Sequence, residues 1–177
     1  NDLASQTLIQ TGFDTSNAAA SWGQTDLSLD VAGLLDVATY SAQLVAPGAH
    51  YNVSAAGIRG TLNTDLAELT VVNRGTAGAA ADKSIVLSEA NDLRIISGGR
   101  SNGGLYAAQG AIDLALQARE AELTLASGVI ATGTGGNLSI RADDIDFASG
   151  NNQVLSSGAL LIRSMHDAQN YRIGGAG

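Results

Sequence analysis

Apolar and polar residues alternate along most of the chain from residue 27 onward. The first clear run is Leu-Ser-Leu-Asp-Val at 27–31, and the same period of two recurs in short runs through the rest of the sequence. Because successive side chains of a β-strand point to opposite faces, this period predicts short strands with one apolar and one polar face. Further runs lie at 35–37, 51–53, 69–71, 85–87, 93–95, 114–116, 123–125, 138–140, 145–147, 160–162 and 171–173.

The chain also repeats itself at a spacing of 22 residues. Residues 122–128 (Glu-Leu-Thr-Leu-Ala-Ser-Gly) return as 144–150 (Asp-Ile-Asp-Phe-Ala-Ser-Gly), and 136–141 return as 158–163 with Gly, Leu, Ile and Arg at matching places. A fixed period of this size is typical of stacked repeats, and an immunoglobulin-like sandwich would not normally carry it. The repeat therefore predicts a solenoid in which each rung lies on the preceding one.

The spacing of the strands predicts rungs of unequal length. When 27, 51, 85, 114, 138 and 160 are taken as starts of equivalent strands, the successive steps are 24, 34, 29, 24 and 22 residues. Strands that keep their register while one corner varies in length would produce this scatter. The sequence therefore predicts an all-β parallel β-helix (solenoid) of about seven rungs, with variable corner loops at 75–82 and 97–104.

Stacking of like residues predicts continuous apolar columns inside the solenoid. We expect Leu116, Ile140 and Ile162 to form one column, and Leu125 and Phe147 to form another. Hydrophobic residues make up 45% of the chain and aromatic residues only 4%, which suits a narrow aliphatic interior.

No linker or change of composition divides the chain, so residues 1–177 are predicted to form a single β-helix segment. Residues 13–26 show no pattern, and they are compatible with a protruding loop or with a short helix over the end of the core. The chain begins at Asn1 rather than Met and stops shortly after a strand-like run. We therefore expect a fragment of a much longer polypeptide, with contiguous rungs at both ends.

The charge balance argues against two classes of partner. The formal net charge is −8 and nine residues are Lys or Arg, whereas binding to nucleic acid or to an anionic membrane needs clustered cations. No apolar run approaches the roughly 20 residues of a transmembrane helix, so no membrane insertion is predicted. The absence of Cys rules out disulfides and thiolate chemistry.

One stretch resembles a known class of bacterial protein. Residues 135–145 (Gly-Gly-Asn-Leu-Ser-Ile-Arg-Ala-Asp-Asp-Ile), followed by Ala-Ser-Gly at 148–150 and a Val/Leu strand ending in Gly158, resemble the repeats of filamentous-haemagglutinin-like exoproteins and large repetitive adhesins. The resemblance is strongest over 84–164. It implies a right-handed β-helical shaft, two-partner secretion to the bacterial cell surface, and adhesion with a role in virulence. The implied partners are proteins or glycans on host or neighbouring cells, bound through other parts of the full-length chain.

An acidic run offers one candidate site. Asp143, Asp144 and Asp146 could bind Ca²⁺ or belong to a polysaccharide-cleaving cluster, since paired carboxylates serve both purposes. Strand alternation turns Asp144 and Asp146 to the solvent, which favours a solvated strand face. The calcium-binding nonapeptide of β-helix repeats is absent, so we expect no metal site.

Other candidates for chemistry are sparse. His50 and His166 are the only histidines and fall at non-equivalent places in the repeat. His166 and Asp167 could be half of an acid–base pair, but no nucleophile accompanies them. Residues 97–104 are glycine-rich but lack the Lys of a phosphate-binding loop. We therefore expect no catalytic residue and no cofactor.

Three hypotheses about function remain open at this point. The first is a non-catalytic structural shaft of a secreted adhesin. The second is a polysaccharide-active enzyme on the same scaffold, of the lyase, hydrolase or phage depolymerase type. The third is a glycan- or protein-binding module that uses the loops at 13–26, 75–82 and 97–104.

Overall fold

Parallel β-strands account for nearly all the regular structure in a computed structural model of the chain. The structure describes residues 27–38, 44–97, 103–148 and 153–166, and within them it has thirteen strands and one 3-10 turn at Ala81–Lys83. Strand pairs among these residues are parallel. The strands are β1 (Leu27–Asp36), β2 (Leu44–Arg59), β3 (Thr61–Asn73), β4 (Ile85–Glu89), β5 (Leu93–Ile95), β6 (Gly104–Ala107), β7 (Ile112–Leu116), β8 (Glu122–Leu125), β9 (Val129–Thr132), β10 (Leu138–Arg141), β11 (Asp144–Asp146), β12 (Val154–Leu155) and β13 (Leu160–Arg163).

The strands form three faces, and β3 runs through all of them. Its residues 61–64 pair with β4, residues 68–69 with β5 and residues 71–73 with β6. Face 1 continues as β4, β7, β10 and β13, face 2 as β5, β8 and β11, and face 3 as β6, β9 and β12. On the other side of β3 the stack continues through β2 to β1. The strands of one face are parallel because the chain crosses that face in the same direction in every coil.

The described residues make about five turns of a β-solenoid, with five strands stacked on face 1. The prediction of an all-β parallel solenoid is confirmed. The count of about seven rungs refers to the whole chain and stays a prediction. The unpatterned segment 13–26 and the strand-like run 171–173 lie outside the described residues.

Apolar columns run through the interior, as the alternation predicts, but both predicted columns need correction. Leu116 was expected beneath Ile140, whereas Leu114 pairs with Ile140 and Leu116 pairs with Glu89. A shift of two residues keeps every side chain on its face, so alternation alone cannot detect it. The observed column on face 1 consists of Leu62, Leu87, Leu114, Ile140 and Ile162.

The second predicted column is also corrected. On face 2 the stacked pair is Leu123 with Ile145, and the pairing of β8 with β11 ends at Asp146. Phe147 lies one residue past β11 and is 50% exposed, while Leu125 is fully buried. Leu125 is therefore in the interior as expected, but Phe147 is not.

The 22-residue repeat is the register between adjacent coils. Glu122 pairs with Asp144 on face 2, and Leu138 pairs with Leu160 on face 1. The matching Arg141 and Arg163 also pair directly. Similar residues thus occupy equivalent places because they meet the same neighbours in successive coils.

The predicted loop at 75–82 lies at the corner where face 3 returns to face 1, and it folds against the coil before it. The backbone N–H groups of Thr76 and Ala77 both donate to the carbonyl of Ala56, at 2.7 and 2.9 Å. The side-chain amide of Asn73 donates to the carbonyls of Asp82 and Ser84, each at 2.9 Å. These bonds satisfy a corner that has no strand pairing of its own.

The second predicted loop, 97–104, is described only at residues 97, 103 and 104. Gly104 begins β6 with a positive φ of 129°, and a Cβ atom there would collide with the carbonyl oxygen of Val129. A glycine is needed because two coils approach closely at this position.

Candidate functional site

The corner between faces 1 and 2 holds the buried acidic residues Glu89 and Asp143. We call it the acidic corner, and it comprises residues 64–67, 89–92, 116–121, 142–143 and 164–166 of successive coils. Carboxylates that are taken out of water need hydrogen-bond donors, and turns between strands have free backbone N–H groups. The acidic corner is therefore the place where side-chain chemistry concentrates.

The structure separates the three aspartates of the predicted acidic run. Asp144 and Asp146 are exposed on β11, which confirms the solvated face expected for them. Asp143 is different, because its side chain is 1% exposed at the turn before β11. The run therefore does not act as one cluster of three carboxylates.

Asp143 accepts hydrogen bonds from both neighbouring coils. Its Oδ1 accepts from the Ser164 hydroxyl at 2.7 Å and from the backbone N–H groups of Met165 and His166 at 3.1 and 2.9 Å. Its Oδ2 accepts from the backbone N–H of Glu120 at 3.0 Å and lies 2.7 Å from Nδ1 of His166. One carboxylate thus joins three successive coils at the acidic corner.

These contacts favour the ionised form of Asp143. Burial opposes ionisation, but the hydrogen bonds from Ser164, His166 and Glu120 outweigh it and hold the pKa of Asp143 well below its usual range. Glu120, whose backbone N–H donates to Asp143, has a φ of 63°, the only positive value at a non-glycine among the described residues.

The contact between Asp143 and His166 has the geometry by which a carboxylate orients a histidine base. Asp167, which the sequence offered as a partner for His166, lies outside the described residues. Ser164 does not complete a nucleophile–base pair, because its hydroxyl contacts Asp143 and the backbone carbonyl of His166. The arrangement ties coils together and leaves no aligned nucleophile among these three residues.

Glu89 is the second buried acid and is fully enclosed. Its Oε2 accepts from the Thr64 hydroxyl at 2.6 Å, and its Oε1 accepts from the backbone N–H groups of Leu66, Ala90 and Asn91 at 3.2, 2.9 and 3.3 Å. Burial raises the pKa of Glu89 to about 7 although these hydrogen bonds favour the charged form. The corner therefore contains two carboxyls with opposite protonation preferences.

An ionic ladder stands where face 3 returns to face 1. Arg59 donates to both carboxylate oxygens of Asp82 at 3.2 and 3.1 Å, and to Asp36 at 3.0 Å. Each acid lies 23 residues from the arginine, so the ladder joins three coils. The hydrogen bond from Arg59, with a second from the backbone of Ala79, lowers the pKa of Asp82.

Other arginines make similar contacts between coils on the outside of the solenoid. Each pairs with an acid on an adjacent or nearby coil, so these ion pairs link one coil to another along the stack. These pairs are Arg74 with Asp30 at 2.8 Å, Arg94 with Glu68 at 3.3 Å, and Arg141 with Asp113 at 3.0 Å.

Within the described ranges, no group of three or more His, Cys, Asp or Glu side chains could hold a metal ion. No helix in that part of the chain is long and apolar enough to cross a membrane. His50 lies on β2 opposite Glu68, far along the chain from His166 and on a different coil. Comparison with known protein families, with curated proteins and with solved structures gave no match to this chain.

Proposed function

We propose that this chain is a non-catalytic shaft segment of a secreted bacterial surface adhesin. The observation that supports it is the state of the interior columns at the last described coil. Leu160 is 51% exposed although it stacks on Leu138, which is 1% exposed. Phe147, on the neighbouring face, is similarly uncovered. Apolar side chains in this position would be buried by a further coil in the same register, and such a coil is part of the proposed shaft.

The polar contacts support the same proposal. Asp143 and Arg59 spend their hydrogen-bonding capacity on neighbouring coils, which leaves little of it for a ligand. A shaft needs this kind of bonding, because its stability comes from contacts between nearest neighbours along the stack. The adhesin assignment itself rests on the resemblance of residues 84–164 to the repeats of such proteins.

We also propose that the coil is right-handed and that the whole segment has about seven rungs. Connections between parallel strands of one sheet are nearly always right-handed, because a right-twisted strand packs back onto the sheet in that way. In this proposal, contiguous rungs extend the shaft at both ends. The shaft lies outside the bacterial cell, and other parts of the longer polypeptide contact proteins or glycans of host or neighbouring cells.

An insertion tests the shaft assignment. A second copy of residues 145–166 placed directly after His166 would add one coil in the observed 22-residue register and would keep Ser164, Met165 and His166 on Asp143. We expect the extended chain to unfold in one transition at the same temperature or higher. The matched control inserts the same 22 residues in scrambled order, and it should unfold at a lower temperature. Equal loss of stability in the two chains would contradict a stack that is built to continue.

A polysaccharide-active β-helix is the second candidate, and the contact between Asp143 and His166 is the observation in its favour. A carboxylate that orients a histidine is a common part of an acid–base site. Incubation of the chain with acidic and neutral glycans tests it, with Asp143→Asn as the matched control. If the unmodified protein shortens a glycan and Asp143→Asn does not, the shaft proposal is wrong and an enzymatic function replaces it. We expect no shortening.

A further inference from the structure

Glu89 occupies an interior position of the solenoid. It is the last residue of β4. In this strand Ile85, Leu87 and Glu89 point inward, and Val86 and Ser88 point outward. In the stack it pairs with Thr64 on one side and Leu116 on the other. Its side chain is therefore a carboxyl in a column that otherwise holds a threonine and a leucine, and it is fully buried.

The groups around Glu89 donate hydrogen bonds but bring no positive charge. The four donors are the Thr64 hydroxyl and the N–H groups of Leu66, Ala90 and Asn91. A negative charge at this place is therefore solvated only by neutral dipoles, and burial without a paired cation disfavours it.

The neighbouring elements offer Glu89 either acidic side chains or no titratable side chain. β3 contributes Asp65, whose charge acts on Glu89 in the same direction as burial. The stacked residue of β7 is Leu116, and Gln117 follows it with a backbone N–H that donates to the Glu89 carbonyl. Within the acidic corner Asp92 comes three residues after Glu89, and its carboxylate accepts from the Glu122 N–H.

We propose that Glu89 is a proton-binding residue that makes the acidic corner tighter when its carboxyl is neutral and looser when it is ionised. The neutral carboxyl can keep its Oε1 as acceptor for the three backbone N–H groups. Its Oε2–H can then donate to the Thr64 hydroxyl oxygen, which lies 2.6 Å away. Each contact of the Glu89 carboxyl is kept, and in the one with Thr64 the donor and the acceptor exchange roles. The cost of burying a charge disappears.

The direction of the pH effect follows from linkage. Burial raises the pKa of Glu89 from 4.5 to about 7 in the folded chain. The folded state therefore holds the proton over a range where the unfolded state releases it. The stabilising contribution is fully present below 4.5 and is lost as the pH rises towards about 7. On the order of a hundredfold change in the unfolding equilibrium constant follows from this one group.

Urea unfolding between pH 4.5 and 8.5 tests the proposal in the unmodified chain and in E89Q. Glutamine is neutral and can donate to Thr64, so the variant should lack the part of the pH dependence due to Glu89. We expect the ratio of the two unfolding equilibrium constants to change roughly a hundredfold across the range. Ser88→Ala, a non-titratable change on the same strand, should keep the pH dependence of the unmodified chain. The same pH dependence in E89Q and the unmodified chain would overturn the proposal.

A second measurement applies even when E89Q does not fold. The carboxyl carbon of Glu89 in the unmodified chain can be titrated by nuclear magnetic resonance, and its midpoint should lie near 7. Asp65→Asn removes the neighbouring acid, so it should move that midpoint downward. A midpoint at or below 4.5 in the folded chain would overturn the proposal.

Discussion

The carboxylate of Asp143 and the imidazole Nδ1 of His166 lie 2.7 Å apart, although 23 residues separate them in the sequence. The contact joins the turn after β10 to the turn after β13, which is one coil later. It adds side-chain bonding to the four residue pairs by which β13 lies on β10. The last described coil is therefore held at its corner as well as along its strand.

Replacing Asp143 with alanine should strongly destabilise the chain. The change leaves the N–H groups of Glu120, Met165 and His166 without their acceptor. Buried donors that lose their partner are costly, so we expect a loss of about 3 kcal/mol in the free energy of unfolding. Asp144→Ala is the matched control on the exposed neighbour and should cost less than about 0.5 kcal/mol. Urea unfolding measures both, and equal losses would contradict the structural role given to Asp143.

Asp143 should also contribute to acid unfolding. Its hydrogen bonds hold its pKa below the usual value of 3.8 in the folded chain. Its stabilising contribution is therefore present above 3.8 and is lost as the pH falls through the lower folded value. Between pH 5 and pH 2, the unmodified chain should lose more stability than Asp143→Asn, which has no carboxylate to protonate. Parallel curves for the two proteins would exclude this linkage.

Arg59 should matter more for stability than Arg94, which has a single ion pair within the described part of the chain. Its planar guanidinium binds Asp82 through two nitrogens and Asp36 through the third, and a lysine cannot reproduce that geometry. We expect Arg59→Lys to lower the urea midpoint almost as far as Arg59→Ala does. Arg94→Ala removes a single contact at 3.3 Å to Glu68 and should change the midpoint little. A midpoint restored by lysine would show that charge alone is sufficient.

Leu138 and Leu160 offer a matched pair for testing the open end of the column. Leu138→Ala should cost about 3 kcal/mol, because the side chain is buried between two coils. Leu160→Ala should cost less than about 1 kcal/mol, since about half of that side chain is already exposed. When a further coil is added after His166, the cost of Leu160→Ala should approach that of Leu138→Ala. An unchanged cost would mean that the added coil does not cover Leu160.

Alternation and the 22-residue repeat were enough to predict an all-β solenoid of parallel strands, because alternation marks the strands and the repeat marks their stacking. Alternation decides which side chains point inward, and the repeat sets the register between β10 and β13. Neither determines register where the repeat is irregular. The step from β7 to β10 is 26 residues, as Ile112 pairs with Leu138, and the prediction that began this strand at Leu114 was displaced by two residues.

The buried acids show a different limit of sequence reasoning. Glu89 falls on the inward phase of Ile85, Leu87 and Glu89, so its burial could have been predicted from the pattern. Asp143 has no comparable signal, because it lies in a turn where no period applies. Its partners Ser164 and His166 belong to the next coil, so only the folded stack brings them to it.

The perpendicular arrangement of strands and stack has a mechanical consequence. Backbone hydrogen bonds between coils point along the direction in which the stack grows, so tension on the two ends would load them a few at a time and peel coils from an end. The last described coil stacks in register with the coil 22 residues before it. Its release would lengthen the chain by roughly 75 Å, whereas adjacent coils are about 4.8 Å apart. A tether of this kind would yield in steps, and the contact between Asp143 and His166 would add to the force needed to release the coil that it holds.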